Sequence, residues 1–318
     1  MGRDSEVCGR YQQLNKMIRL IYIVSILILI GCHTEIPTEH TYIDEIKPST
    51  TPLIFAKEFI SNNSISDFGS IFNKDNDEFY FAIDTLNRAC IKYAKYQEGN
   101  WTTPVVILSD STYSFNDPFL SNDEQKLYYI SNMPRNEQDT IEDYDIWYSK
   151  KEGEKWSRPI NAGMAINSDA NEYYISFAQN GAMYFSSNKG KDDDKQYDFD
   201  IYKSEYKGGE FETPQRLSDS INSKRYEADV FISPDESYII YSTARRGGIG
   251  RRDLNISFKD ENDHWANSIN MGEPINTKAN ELCPFVTKDG KYLFYTSNQD
   301  IYWVSAEVIN ELKGDLTE

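Results

Sequence analysis

Histidine is almost missing from this 318-residue chain: His33, His40 and His264 are the only three, and two of them lie in the N-terminal segment. That scarcity argues against a Ser-His-Asp hydrolase and against histidine-rich metal sites. Cysteine is scarce too. After residue 32 only Cys90 and Cys283 remain. Two cysteines do not make a disulfide framework, so two free, partly buried thiols are expected. Positive charge is short, with 33 Lys and Arg against 51 Asp and Glu and a formal net charge of −18. Such a field repels phosphate backbones, so nucleic acid is not an expected partner. The chain also lacks an apolar run that spans a bilayer comfortably, which takes about 20 residues. The one candidate, residues 18–30 (IRLIYIVSILILI), carries Arg19. Its length suits the core of a signal peptide.

That run is flanked by Lys16 and Arg19 and ends in Leu29-Ile30-Gly31-Cys32. The tetrad resembles the bacterial lipobox, in which the cysteine is acylated on sulfur and becomes the first mature residue. The resemblance implies a signal peptide over 1–31, with Met17 offering a more compact start, and a lipid on Cys32. Residues 1–31 hold four basic and two acidic residues, so the mature chain carries a charge near −20. Residues 32–51 are polar, with two prolines and no periodicity, and read as a tether. A single domain is expected over 52–318.

What the chain has in quantity is aromatic side chains, 14% of residues with 23 tyrosines, far more than a disordered chain carries. They recur in register. The runs LYYISN from Leu127, MYFSSN from Met183, IIYSTA from Ile239 and LFYTSN from Leu293 align, with FYFAID from Phe79 as a weaker copy. A second run follows each, led by Cys90, Asp145, Asp200, Asp253 and Asp300 at spacings of 55, 55, 53 and 47. Trp101, Trp156, Phe211 and Trp265 keep the same period, as do Pro104, Pro159 and Pro214. So do Ile166-Asn167, Ile221-Asn222 and Ile275-Asn276.

Each unit reads as strand, turn, aromatic strand, polar loop, Asp-led strand, turn, and a fourth strand led by Trp or Phe. The turns hold Asn, Asp, Gly and Pro, which tolerate or preset turn dihedrals. A four-stranded antiparallel repeat of about fifty residues implies an all-β propeller. Five blades are expected, with six as the runner-up. Residues 49–61 (STTPLIFAKEFIS) resemble 100–111 (NWTTPVVILSDS). Residues 51–60 are therefore expected to supply the outer strand of the last blade and close the ring, limiting exposed strand edges. The glycine-rich loop at Gly247, Gly248 and Gly250 is one copy of the repeated polar loop. Its other copies lack the glycines and no helix follows, so it is no phosphate-binding turn.

The units resemble the WD-like repeats of the TolB-type propeller family through Ser233-Pro234-Asp235, Arg245 with Gly247-Gly248, and Asp253-Leu254. The resemblance implies an envelope lipoprotein that binds or assembles, and no cofactor. In some relatives an OmpA-type peptidoglycan-binding domain follows the propeller; with the chain ending at Glu318, none is expected here, and neither is the α/β-hydrolase domain of propeller peptidases. The stretch from Thr287 to Lys291 comes near a sialidase Asp-box but lacks its Trp, and reads as a turn.

Four features carry candidate chemistry. Asp67, Glu172, Glu227 and Glu281 recur six residues before the first turn anchor, with Phe115 in the second repeat and Asp117 two residues on. As channel-mouth carboxylates they would bind a cation or a sugar, or hydrolyse a glycoside if paired at about 5 to 9 Å; as architecture they would bond a neighbouring blade. The aspartates leading the third strands are expected to cap turn N–H groups. Asp192-Asp193-Asp194 with Asp198 and Asp200 is a calcium candidate without the EF-hand spacing, and reads better as a solvated acidic loop, so no metal is expected. Arg245, Arg246, Arg251 and Arg252 cluster on one loop of an acidic chain, as a docking point for an acidic partner or as local charge balance. The expectation is a binding scaffold at the bacterial cell envelope, in the outer membrane, with an envelope protein as partner. A glycan-binding protein or glycoside hydrolase is the alternative.

Overall fold

The computed structural model describes Tyr42 and residues 46–61, 65–85, 88–191 and 198–315. Residues 1–31, expected to be a signal peptide, and Cys32 lie outside the described residues. The chain is an all-β propeller of five blades. Strand β1 (Leu53–Ile54) comes first and belongs to the last blade. Blade 1 holds β2 (Ser66–Phe72), β3 (Glu78–Asp84), β4 (Ala89–Gln97), a short β5 (Asn100–Trp101) and β6 (Val105–Leu108). Blade 2 repeats this with β7 (Phe115–Leu120), β8 (Lys126–Ser131), β9 (Asp145–Glu152), β10 (Lys155–Trp156) and β11 (Ile160–Asn161). Blade 3 holds β12 (Glu172–Phe177), β13 (Met183–Ser187), β14 (Asp200–Ser204), a ribbon of β15 (Tyr206–Lys207) and β16 (Glu210–Phe211), and β17 (Gln215–Arg216). Blade 4 holds β18 (Glu227–Ile232), β19 (Tyr238–Thr243), β20 (Asp253–Phe258) and β21 (Ile269–Asn270). Blade 5 holds β22 (Glu281–Val286), β23 (Tyr292–Ser297) and β24 (Asp300–Ser305), followed by helix α1 (Glu307–Asp315). All pairings within blades are antiparallel.

The aromatic runs are the second strands, and they are buried almost end to end. A blade packs against a neighbour on each face, so its middle strands lose the polar alternation of a half-solvated strand. Each fully buried Phe or Leu in them contributes about 1.5–3 kcal/mol.

The Trp register differs from expectation. Trp101, Trp156 and Phe211 do not begin the outer strand; they sit in tip ribbons that extend the third-strand hairpin. The outer strand starts after Pro104, Pro159 and Pro214, because proline has no N–H to give a ladder.

The ring closes as expected, through a shorter strand than the expected 51–60. Leu53 pairs with Trp303 and Ile54 with Tyr302, and Phe55 N–H donates to the Ile301 carbonyl at 2.8 Å. The chain then turns at Ala56 and Glu58, both at positive φ. Phe55 is fully buried and touches Phe72 and Phe79 of blade 1 and Phe294 and Trp303 of blade 5, which fills the seam. Tyr42, in the segment expected to be a tether, is also buried, against Phe72, Tyr292 and Trp303. Helix α1 buries Val308 and Ile309; the repeat pattern gave no sign of it. Cys90 and Cys283 are free and buried.

Candidate functional site at the channel mouth

The repeated carboxylates come first. Glu172, Glu227 and Glu281 each open the innermost strand of a blade, Asp67 is the second residue of its own, and all four are essentially inaccessible to solvent. Each is held from within. Glu172 accepts from Ser168 N–H (3.0 Å), Ser168 O–H (2.7 Å) and Ser187 O–H (2.7 Å). Glu227 accepts from Ser223 N–H (2.8 Å), Ser223 O–H (2.7 Å), Thr243 O–H (3.0 Å) and Arg245 (3.4 Å). Glu281 accepts from Thr277 and Ser297 hydroxyls, and Asp67 from Ser61 O–H and Ile301 N–H of blade 5. The side chains therefore clamp the loops that enter each blade and do not ring a solvent-facing mouth. Their own N–H groups reach the preceding blade, donating to the carbonyls of Gln299, Tyr144, Phe199 and Arg252.

The Asn of each Ile-Asn pair completes the lock. Asn167, Asn222 and Asn276 each accept the N–H and donate to the C=O of one third-strand residue, Ile146, Ile201 and Leu254 respectively. This is a side-chain imitation of a β-bridge. The aspartates one residue earlier take varied partners. Asp253 accepts from Ile249 and Gly250 N–H, the expected turn cap, whereas Asp145 takes Asn161, and Asp200 takes Arg216 and Lys191. The glycines serve this packing. A Cβ on Gly250 would lie 2.3 Å from the Thr277 carbonyl oxygen, and one on Gly248 2.5 Å from Asp253.

The four arginines separate. Arg245 braces the lock, bonding Glu227, Ser268 O–H and the Ile221 carbonyl. Arg252 lies 4.1 Å over the Tyr226 ring. Arg246 and Arg251 are exposed on the loop. Asp192-Asp193-Asp194 lies outside the described residues. Among the described residues no cluster of His, Cys, Asp and Glu is arranged to hold a metal ion.

The next two positions of the innermost strands tell a different story. Every one of these strands is bulged there. The bulge residue is Gly69, Asp117, Tyr174, Asp229 or Cys283, and all five have φ between 43° and 56°. A bulge re-aims a side chain, and five in register converge on the axis. Tyr174 crosses the channel from blade 3 and donates its hydroxyl to the Pro284 carbonyl of blade 5 at 2.9 Å. Asp117 packs so close to Gly69 that a Cβ there would lie 2.7 Å from its carboxylate. The channel is thereby plugged.

Above the plug lies a hollow of about 510 Å³, lined by Phe68, Asn116, Asp117, Asp229 and Cys283 and walled by aromatics. Tyr144, Tyr173, Phe199 and Tyr226 form a continuous arc with successive centroids 5.1, 5.5 and 5.9 Å apart, and Arg252 ends it. Tyr144, Phe199 and Arg252 each immediately precede a third-strand Asp, so the carbonyls that anchor the neighbouring blade also fix these side chains at the mouth. The rim is lopsided. By chain length, 13, 12 and 9 residues (132–144, 188–199 and 244–252) link the second and third strands of blades 2, 3 and 4, against 4 (85–88) in blade 1 and 2 (298–299) in blade 5. Arg135 ties down the blade-2 loop through Asp139 and Asp169.

Burial, and then the charge of Asp229, push the Asp117 carboxyl up to about 7. Burial pushes Asp229 up to about 6 against the pull of the Arg252 guanidinium. The Cys283 thiol is raised by burial and by both aspartates, so it stays protonated.

No protein-family model and no curated protein matches the chain. Solved structures do match. A thermostable family-43 glycoside hydrolase is similar with a TM-score of 0.53 at 14% identity, over 83% of this chain and 91% of that one. A gluconolactonase from Xanthomonas campestris gives 0.49 at 12%, over 83% and 98%. TolB from Acinetobacter baumannii gives 0.48 at 15%, over 74% of this chain and only 53% of TolB. The likeness shows the fold. This is a β-propeller. At such identities it says nothing about chemistry.

Sequence reasoning weighed Asp117 only as a displaced copy, and passed over Asp229 and the aromatic arc. The available signal was disagreement between copies: Gly, Asp, Tyr, Asp and Cys occupy one repeat position two residues after the repeated carboxylate.

Proposed function

We propose that this protein is a lipid-anchored component of the bacterial cell envelope, held in the outer membrane through Cys32, which works by binding another envelope protein. The observation that carries the reading is where the repeat is broken. The unrepeated side chains and the three long loops gather at one end of the ring, while the locks are repeated. Arg246 and Arg251 stand exposed on that rim as contacts for an acidic patch of the partner. Arg245 is committed to Glu227, so a charge test belongs at the other two. The full-length chain in detergent, immobilised and exposed to solubilised envelope from its host, is expected to capture a recurrent protein. Arg246→Glu with Arg251→Glu is expected to abolish that capture. A captured set that ignores both substitutions, or no captured protein, overturns the reading.

A second reading has its own observation. Asp117 and Asp229 are unrepeated carboxylates at one mouth beside an aromatic wall, an arrangement that suits a glycan site or a glycoside hydrolase. Release of reducing sugar from envelope polysaccharide by the wild type and not by Asp117→Asn would favour it.

A further inference from the structure

We infer that the plugged mouth receives a cationic side chain, the ammonium of a lysine or the guanidinium of an arginine, presented by the protein partner. This deepens the binding reading and rests on it.

Asp117 is 7% exposed. Its Oδ1 receives only a long contact from the Cys283 thiol, at 3.6 Å, and no donor among the described residues reaches its Oδ2. Asp229 is better served, by the Cys283 backbone N–H, but its one side-chain donor, the Tyr226 hydroxyl, stands at 3.5 Å. A buried carboxylate short of donors is costly, and native proteins rarely leave such a group without a partner. A ligand that brings N–H donors into the hollow supplies what the fold withholds.

The sign of the ligand follows from what faces the hollow. Among the described residues, Asp117 and Asp229 lie on the floor and Glu142 on the wall, against one cation, Arg252. Burial raises the Cys283 thiol and the Tyr173 and Tyr226 hydroxyls, so these three stay protonated. The chain around them carries −18. An anion is repelled, and a neutral sugar leaves the floor charge uncompensated. The aromatic arc suits the same ligand, because ring faces attract cations. Arg252 already demonstrates the fit, lying over Tyr226 while its charge bears on Asp229. The hollow, about 510 Å³, has room for one long side chain together with the flanking residues that present it.

The test is calorimetry on the full-length chain in detergent, with acetylated and amidated pentapeptides that differ only at a central Lys, Arg, Gln or Glu. The Lys and Arg peptides are expected to bind, and the Gln and Glu peptides not. Because both aspartates protonate as the pH falls, affinity is expected to rise at least tenfold from pH 5 to pH 8. Asp117→Asn and Asp229→Asn are expected to lose at least tenfold at pH 8. Equal binding of the Gln peptide, an affinity flat in pH, or no binding into the millimolar range overturns the inference. Should either variant misfold, the wild-type pH series decides alone. If the peptides fail while envelope capture still depends on Arg246 and Arg251, this inference falls and the binding reading stands. If both fail, both fall, and a neutral oligosaccharide that binds instead moves the glycan reading forward.

Discussion

Two sets of buried carboxylates sit at neighbouring repeat positions of the innermost strands, with Glu227 and Asp229 on one strand, and the fold treats them differently. The lock residues Asp67, Glu172, Glu227 and Glu281 each accept two to four hydrogen bonds from hydroxyls and N–H groups. Asp117 accepts only a long contact from the Cys283 thiol, and Asp229 accepts a long one from the Tyr226 hydroxyl beside a backbone N–H bond from Cys283. Burial raises members of both sets, Glu172 to about 7 and Asp67 to about 6, so the titration does not separate them. The supply of donors does. A group repeated around the ring and bonded from within at 2.6–3.0 Å serves the ring, even where one oxygen, Asp67 Oδ1 or Glu281 Oε2, is left unpaired. A group found in only two blades and left short of donors is held at a cost to stability, which is the mark of a site.

The sharpest way to break the comparison is to empty one lock. Glu227→Ala strands two hydroxyls, an N–H and a guanidinium, and is expected to lower the unfolding free energy by about 3 kcal/mol, read by urea denaturation. Asn222→Ala removes the imitation bridge to Ile201, and a loss of about 2 kcal/mol is expected; equal losses at Asn167 and Asn276 would show that the device repeats in energy as it does in geometry.

At the mouth the sign reverses. The folded-state carboxyls of Asp117 and Asp229, like those of Glu172 and Asp67, titrate above their unfolded values, so the folded chain holds more protons between about pH 4 and 7. Stability then falls as the pH rises through that window. Asp117→Asn is expected to flatten the fall and to gain about 1–2 kcal/mol at pH 8, measured as the difference between urea curves at pH 4.5 and 8. The smallest effect is Glu172→Gln. The amide oxygen still accepts from Ser168 and Ser187, so a cost of about 1 kcal/mol is expected, visible as a small shift in the urea midpoint.

The architecture was legible because it repeats. Four registers at one period name the strands, and Pro52 with the residues after it names the closing strand by likeness to Pro104. The position of the Trp residues was misread because the pattern could not show that proline splits the outer edge into a tip ribbon and a strand. The repeated carboxylates were legible as a set but not as locks, since their donors, Ser168, Ser223 and Thr277, lie four residues upstream in loops that look like plain linkers. The mouth was hardest to see. Its side chains share no residue type, and their convergence depends on a bulge at positive φ that Asp, Tyr and Cys give no reason to expect. Copies that differ where their neighbours agree are the trace such a site leaves.

One measurement tests the contrast directly: urea unfolding of Asp117→Asn and Glu227→Ala at pH 8, side by side with the wild type. Opposite signs are predicted, with Asp117→Asn more stable than the wild type and Glu227→Ala less stable. If both variants lose stability alike, Asp117 is as much a part of the frame as Glu227, and the mouth is not the site.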